Sequence, residues 1–185
     1  MEHGAKQYRR YLAGDDDGIV ELIKEYKDGL ILFLNRYVSN IYVAEELAEE
    51  TFFGLITKRP KFREKYAFKT WLYTIGRNIA INHLRQAGRF TDISVETENF
   101  PMQAICSLEQ AYMQKEEKIL IHRALDKLPK DYATVLYLKF LEDMKNEEIA
   151  GVLKKSRRQV ENLLYQAKRA LKEELSKEGF EYEKL

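Results

Sequence analysis

Residues 146–164 read NEEIAGVLKKSRRQVENLL, and the rest of the chain is best understood outward from them. A short segment with Ile149, Val152 and Leu153 at helical spacing halts at Lys154-Lys155. Ser156 then stands three residues before Gln159, the spacing at which each side chain can bond the other's backbone N–H at a helix start. Two short-coupled helices, the second opened by such a cap, are the grammar of a helix-turn-helix, whose second helix enters the major groove. Val160, Leu163, Leu164, Ala167, Leu171 and Leu175 keep one apolar face on that second helix. Ser156, Arg157, Arg158, Gln159, Glu161, Asn162, Tyr165, Gln166, Lys168 and Arg169 are left for duplex DNA, a mixture of base-reading and phosphate-binding groups. Glu161, an acid among bases, is expected to accept from a cytosine amino group or to orient Arg158. An ordinary antiparallel helix pair with a charged exterior is the bland alternative.

Upstream, Ile19, Leu22, Ile23, Tyr26, Leu30, Phe33, Leu34 and Tyr37 recur at three- and four-residue steps behind the acidic start Asp15-Asp16-Asp17. A turn at Ser39-Asn40 leads to a second helix burying Ala44, Leu47, Ala48, Thr51, Phe52, Leu55 and Ile56, and Pro60 stops it. Lys61 to Tyr66 is a basic loop. A third helix from about Phe68 to Gln86 buries Phe68, Trp71, Leu72, Ile75 and Ile79. Residues 89–108 hold neither helical nor strand periodicity and include Pro101, as a linker does. Helices are expected around Glu109 to Lys127, Asp131 to Leu141, Asn146 to Leu153 and Arg157 to Leu175. The expected fold is all-α, with two small helical domains at 1–88 and 109–185 and a flexible linker at 89–108, each domain with a modest core.

Composition narrows the function classes. The 185 residues are 45% hydrophobic and 33% charged with 3 Pro, values of helix-rich globular units rather than of a disordered chain. The single Cys106 can form no internal disulfide and the start carries no charged-then-apolar leader, which points to a cytoplasmic protein. The apolar run Leu30 to Leu34 is far below the roughly 20 residues of a membrane span, so no membrane insertion is expected. His3, His83 and His122 lack ligand-spaced companions and no Gly-rich phosphate loop occurs, so neither an enzyme nor a cofactor is expected. The net charge of +1 hides segregation. Lys58, Arg59, Lys61, Arg63, Lys65, Lys69, Arg77, Arg85 and Arg89 are opposed only by Glu64, and a second basic block runs from Lys154 to Lys172. Two basic patches suggest two contacts with one polyanion.

Two further constellations stand out. Glu45 with Glu49, and Glu46 with Glu50, are like charges four apart, each pair costing a few tenths of a kcal/mol in an isolated helix. With Phe53 beside them they resemble a docking ridge for a basic partner. The group Phe62, Arg63, Lys65, Tyr66, Phe68, Lys69, Trp71, Tyr73, Arg77, Asn78, Asn82 and Arg85 combines phosphate-tracking bases with aromatics that can stack unpaired bases. Trp71, Phe68 and Tyr73 have a core role as the simpler reading.

Residues 44–52, AEELAEETF, and 68–85, FKTWLYTIGRNIAINHLR, resemble conserved region 2 of the extracytoplasmic-function sigma factors, and Leu125 to Pro129 with Asn146 to Leu171 resemble their region 4. The resemblance implies a sigma factor that brings RNA polymerase to a promoter and helps open it. It implies that Glu45, Glu46, Glu49, Glu50 and Phe53 dock on the beta-prime coiled coil of core polymerase. Phe62, Arg63, Lys65, Lys69, Arg77, Asn78, Asn82 and Arg85 would melt and read the minus-ten element, Asn78 and Phe62 at positions that hold an extruded base. The helix from Arg157 would read the minus-thirty-five element, the linker would thread the polymerase channel, and the beta flap and an anti-sigma factor are further implied partners. The chain departs from the family at Lys145, where a Ser or Thr cap is usual, so Asn146 is expected to cap one residue later. It departs again at Glu161, Leu163 and Gln166, where Arg is frequent, which detaches promoter choice from the family pattern. A free-standing helix-turn-helix regulator that never engages polymerase is the competing class; it leaves the acidic ridge unexplained.

Overall fold

The computed structural model describes residues 3–63, 66–88 and 123–177. Its regular elements are all helical: α1 (His3–Leu12), α2 (Asp17–Val38), α3 (Ile41–Lys58), α4 (Phe68–Gln86), α5 (Lys130–Leu136), α6 (Asn146–Leu153) and α7 (Arg157–Lys177). A π-helical turn, Tyr137–Leu141, extends α5. The expected linker at 89–108 lies outside the described residues; of the helix expected at about Glu109 to Lys127 only the end is described, and residues 123–126 are helical.

Four helices, rather than three, build the first half. The α2 stripe sinks Leu22, Leu30, Phe33 and Leu34 completely, and α3 contributes Ala44, Leu47, Ala48, Thr51, Phe52 and Leu55. Ile56, expected in that set, is exposed because α3 turns it past the edge of the stripe. Ser39 takes a left-handed conformation (φ 52°) and Asn40 caps α3 by accepting from the Tyr42 and Val43 N–H groups at 3.0 and 3.3 Å. On α4 the buried face is rotated from the expected one: Phe68, Thr70, Leu72, Tyr73, Gly76, Ala80 and Ile81 go inside, whereas Trp71, Ile75 and Ile79 are half-buried. The rotation follows from α4 being covered on two sides, by α2 and α3 and by α6.

The additional helix, α1, packs by Gly4, Ala5, Tyr8 and Tyr11. It approaches α2 so closely that a Cβ on Gly18 would stand 2.4 Å from the Gln7 carbonyl oxygen. In the second half, α5, α6 and α7 bury Val135, Leu138, Ile149, Val152, Val160 and Ala167. Each half has its own apolar stripe, but the two modest cores meet: α6 lies on α4 and α5 reaches α2, and the buried residues of both halves form one contiguous cluster.

Candidate nucleic-acid and partner interfaces

The helix-turn-helix is built by three backbone devices. Lys145, not Asn146, occupies the cap position of α6; its backbone N–H donates to the Glu148 carboxylate at 2.8 Å, and Asn146 begins the helix with its Oδ1 buried and unbonded. The side chain at 145 contributes no acceptor, so Glu148 reaching back does the capping alone. Lys154 ends α6 in a left-handed conformation (φ 55°). Ser156 and Gln159 then open α7 reciprocally: the Ser156 N–H donates to Gln159 Oε1 at 2.7 Å and the Gln159 N–H to Ser156 Oγ at 3.2 Å.

All ten residues assigned to duplex reading, Ser156, Arg157, Arg158, Gln159, Glu161, Asn162, Tyr165, Gln166, Lys168 and Arg169, are exposed on this helix. Tyr165 is 66% exposed, large for an aromatic ring with no structural duty. Glu161 does not orient Arg158. It accepts from Arg157 Nε at 2.7 Å, four residues earlier on the same helix, and Arg157 Nη1 also reaches Glu147 of α6 at 2.7 Å. The bond to Glu161 and the charge of Glu147 raise the guanidinium's pKa further. Gln166 accepts from the Tyr132 hydroxyl at 2.7 Å, and Lys168 lies 5.2 Å over the Phe140 ring.

The α3 ridge is presented as expected: Glu45, Glu46, Glu49, Glu50 and Phe53 are exposed, Phe53 by 64%. It is longer and less purely acidic than the sequence suggested. Tyr42, 76% exposed, and Ile56 fall on the same face at positions 42, 46, 49, 53 and 56, and Glu45 pairs with Lys27 of α2 at 3.4 Å. The helical spacing of Tyr42 was the available signal.

The third group divides. Arg63, Tyr66, Asn82 and Arg85 are exposed and Asn78 is half-exposed, while Lys65 lies outside the described residues. Phe68 and Tyr73 are fully buried and belong to the core. Phe62 is half-buried, with ring centroids 5.6 Å from Phe68 and 5.2 Å from Trp71. Arg77 turns inward to the Tyr37 hydroxyl, whose pKa burial pushes up to about 12 against the opposing influence of that cation. Lys69 is also engaged, with Glu142 of the other half: its Nζ pairs with the carboxylate and donates to the backbone carbonyl at 2.9 Å.

Sequence reading missed what holds the loop after α3. The Tyr8 hydroxyl donates to the Pro60 carbonyl at 2.8 Å and the Tyr11 hydroxyl to the Ile56 carbonyl at 3.0 Å, while Arg59 sits 5.0 Å over the Tyr11 ring. Tyr8 also packs 5.3 Å from Trp71, and burial, then Tyr11, pushes its pKa up to about 12 although Arg59 opposes. Gly4, Tyr8 and Tyr11 at four- and three-residue steps could have signalled α1. Among the described residues, no cluster of His, Cys, Asp or Glu could hold a metal ion, and no helix is long and apolar enough to cross a membrane.

Residues 22–90 match the Sigma-70 region 2 model and residues 118–171 the Sigma-70 region 4 model. The chain is 29% identical over 179 residues to the RNA polymerase sigma-H factor of Pseudomonas aeruginosa, covering 92% of this chain and 93% of that one. It is 27% identical over 178 residues to the ECF RNA polymerase sigma factor SigW of Bacillus subtilis, covering 92% and 95%. Among solved structures, CnrH in complex with the cytosolic domain of CnrY matches with a TM-score of 0.63 at 19% identity, over 94% of this chain and 95% of that one. The sigma factor RpoE of Bartonella quintana, in complex with the anti-sigma factor NepR, matches at 0.62 and 19%, over 84% and 95%. At such identities these structures speak for the shared fold.

Proposed function

We propose, for a chain that belongs to the extracytoplasmic-function branch of the sigma-70 family and is an alternative sigma factor, a division of labour among its three surfaces. The α3 face, Tyr42 to Ile56 with Glu46, Glu49, Glu50 and Phe53 at its centre, docks on the beta-prime coiled coil of core RNA polymerase. The loop from Pro60 and the outer face of α4, with Phe62, Arg63, Asn78, Asn82 and Arg85, engages the minus-ten element and its melted strand. The exposed face of α7 reads the minus-thirty-five element. A domain spanning 1–88 carries the first two tasks and one spanning 109–185 the third. The beta flap and an anti-sigma factor complete the partners, the latter in keeping with the RpoE structure, which was captured in complex with an anti-sigma factor. The chain acts in the cytoplasm as a non-catalytic initiation subunit.

One observation carries this reading: a capped recognition helix whose polar face is wholly exposed shares a chain with an acidic, aromatic ridge that packing does not require. A regulator acting on DNA alone has no use for the ridge. Run-off transcription with purified core polymerase and co-elution with core provide the test. A Glu49→Lys, Glu50→Lys double variant should remain helical by circular dichroism and lose co-elution; unchanged co-elution would remove this face from the interface.

A further inference from the structure

We propose, resting on the assignment of the loop after α3 to the minus-ten element, that Tyr8 and Tyr11 of α1 are positioning residues for promoter opening: they brace that loop so that Phe62 is held ready for an unpaired base. Both tyrosines precede residues 22–90, the span that matches region 2. Three contacts fix the loop within five residues. The Ile56 carbonyl, in the last turn of α3, has Pro60 four residues on, and Pro60 has no N–H to give it. Tyr11 of α1 supplies the missing donor, its hydroxyl lying 3.0 Å away. The Tyr8 hydroxyl donates to the Pro60 carbonyl at 2.8 Å. Between these two bonds, Arg59 takes a left-handed conformation (φ 42°) with its guanidinium 5.0 Å over the Tyr11 ring. A residue with a Cβ keeps that conformation where its surroundings hold it.

The seat of α1 sets where the two hydroxyls fall. A Cβ on Gly4 would stand 2.8 Å from Phe68 Cδ1 at the start of α4, and one on Gly18 of α2 would stand 2.8 Å from the Tyr11 nitrogen. Tyr8 is fully buried, with ring centroids 5.5 Å from Phe68 and 5.3 Å from Trp71. Phe62 rests on the same two rings, at 5.6 and 5.2 Å, and stays half-buried. Phe62 is thus fixed twice, by its ring and by the backbone bond two residues before it. Packing alone would be served by phenylalanine at 8 and 11; the hydroxyls are aimed at the loop. A loop ordered before binding spares the ordering cost that otherwise reduces affinity, so the whole stacking gain on an unpaired base becomes available.

Tyr8→Phe with Tyr11→Phe keeps both rings and removes only the two bonds. Holoenzyme is assembled from core polymerase and the full chain, and binding is measured to a promoter pre-melted across the minus-ten element, with an abasic site moved through it one position at a time. In the wild type, one abasic position should weaken binding about tenfold, the scale of one stacked base. Phe62→Ala should abolish that sensitivity. The double variant should lower it below about threefold at the same position while its sensitivity elsewhere and its core co-elution stay unchanged, because the bonds and the base are coupled through Phe62. A tyrosine pair that merely stabilises the fold would weaken every template alike, and that result overturns the proposal. Full sensitivity in the double variant overturns it too, and leaves the assignment of the loop standing. Wild-type sensitivity in Phe62→Ala removes the loop from the melted strand and overturns both. Trypsin judges the brace without DNA: cleavage after Lys61 and Arg63 in the free protein should quicken at least about fivefold in the double variant, as local opening requires. Unchanged cleavage overturns the brace. If the double variant unfolds, Tyr8→Phe alone carries the same comparisons.

Discussion

The outer face of α4 and the outer face of α7 carry the same residue types, basic side chains interleaved with amides and aromatics, yet the fold treats them oppositely. On α7 all ten assigned residues are exposed. On α4, Lys69 is held by Glu142 and Arg77 by Tyr37, leaving Asn78, Asn82 and Arg85 toward solvent. A helix packed on one side keeps the face its periodicity assigns. A helix covered on two sides does not, and α4 lies between α2 and α3 on one hand and α6 on the other. Spacing alone therefore matched the exposure of the residues assigned on α7 but not that of every residue assigned on α4.

The strongest way to break this comparison is at the helix both faces share. Ile149 is fully buried in α6, which touches α4 and α7 alike. Ile149→Ala should cost about 2 to 5 kcal/mol of stability, measured by denaturant unfolding. If α4 is covered as described, the loss should appear as one cooperative shift shared by both halves. A separate early transition of the second half would mean that α4's second cover contributes little.

The difference between Lys145 and Ser156 shows why legibility was uneven. At Ser156 the cap, its Gln159 partner and Val160, the first residue of the following stripe, are all within four residues, and the helix start was readable from them. At Lys145 the capping atoms are a backbone N–H and the Glu148 side chain, with no acceptor at the cap side chain, so Asn146 attracted the assignment. Glu142 carried no local sign at all. Tyr137, five residues earlier, is a near neighbour in the chain, but Lys69 of α4 lies more than seventy residues away and meets it only through tertiary packing. The Tyr8 bond to Pro60 is of the same kind, although the periodicity that makes α1 a helix was present in the chain.

A second substitution pair sharpens the contrast. Arg158→Ala, on the exposed face of α7, should weaken binding of the full chain to minus-thirty-five duplex and cost about 1 to 3 kcal/mol of discrimination, while leaving thermal stability unchanged. Arg77→Ala should do the reverse, leaving duplex affinity intact and lowering stability, because the half-buried Tyr37 hydroxyl loses its partner. Fluorescence titration and thermal unfolding of both variants distinguish the faces. An Arg77→Ala protein with unaltered stability and defective promoter opening would return Arg77 to the DNA surface.

Smaller effects are expected at the caps. Ser156→Ala should lose about 1 kcal/mol, and Lys145→Ser should gain up to about 1 kcal/mol by supplying the side-chain acceptor that α6 lacks. Calorimetry on the two variants checks the pair. A destabilised Lys145→Ser would show that the lysine stem is packed rather than merely tolerated.

The smallest expected effect on stability, and the most informative about DNA, is at Glu161. It holds Arg157, which also reaches Glu147, so the acid ties the first turn of α7 to α6 instead of to a base reader. An exposed pair of this kind adds little to stability. Its consequence is for the charge offered to DNA, since one guanidinium is partly neutralised by two carboxylates. Glu161→Gln should therefore leave unfolding unchanged, raise non-specific affinity and steepen the log-log salt dependence by about one unit, as one further neutralised phosphate requires. Glu161→Arg should steepen it further. If the acid acts only through Arg157, selection from a randomised minus-thirty-five library should return the same motif for wild type and Glu161→Gln at equal salt. A motif that loses a cytosine would place the carboxylate on a base edge, with the Arg157 bond exchanged for it on binding. An unchanged salt slope would remove Arg157 and Glu161 from the DNA altogether and confine the reading face of α7 to Arg158, Asn162, Tyr165 and Arg169.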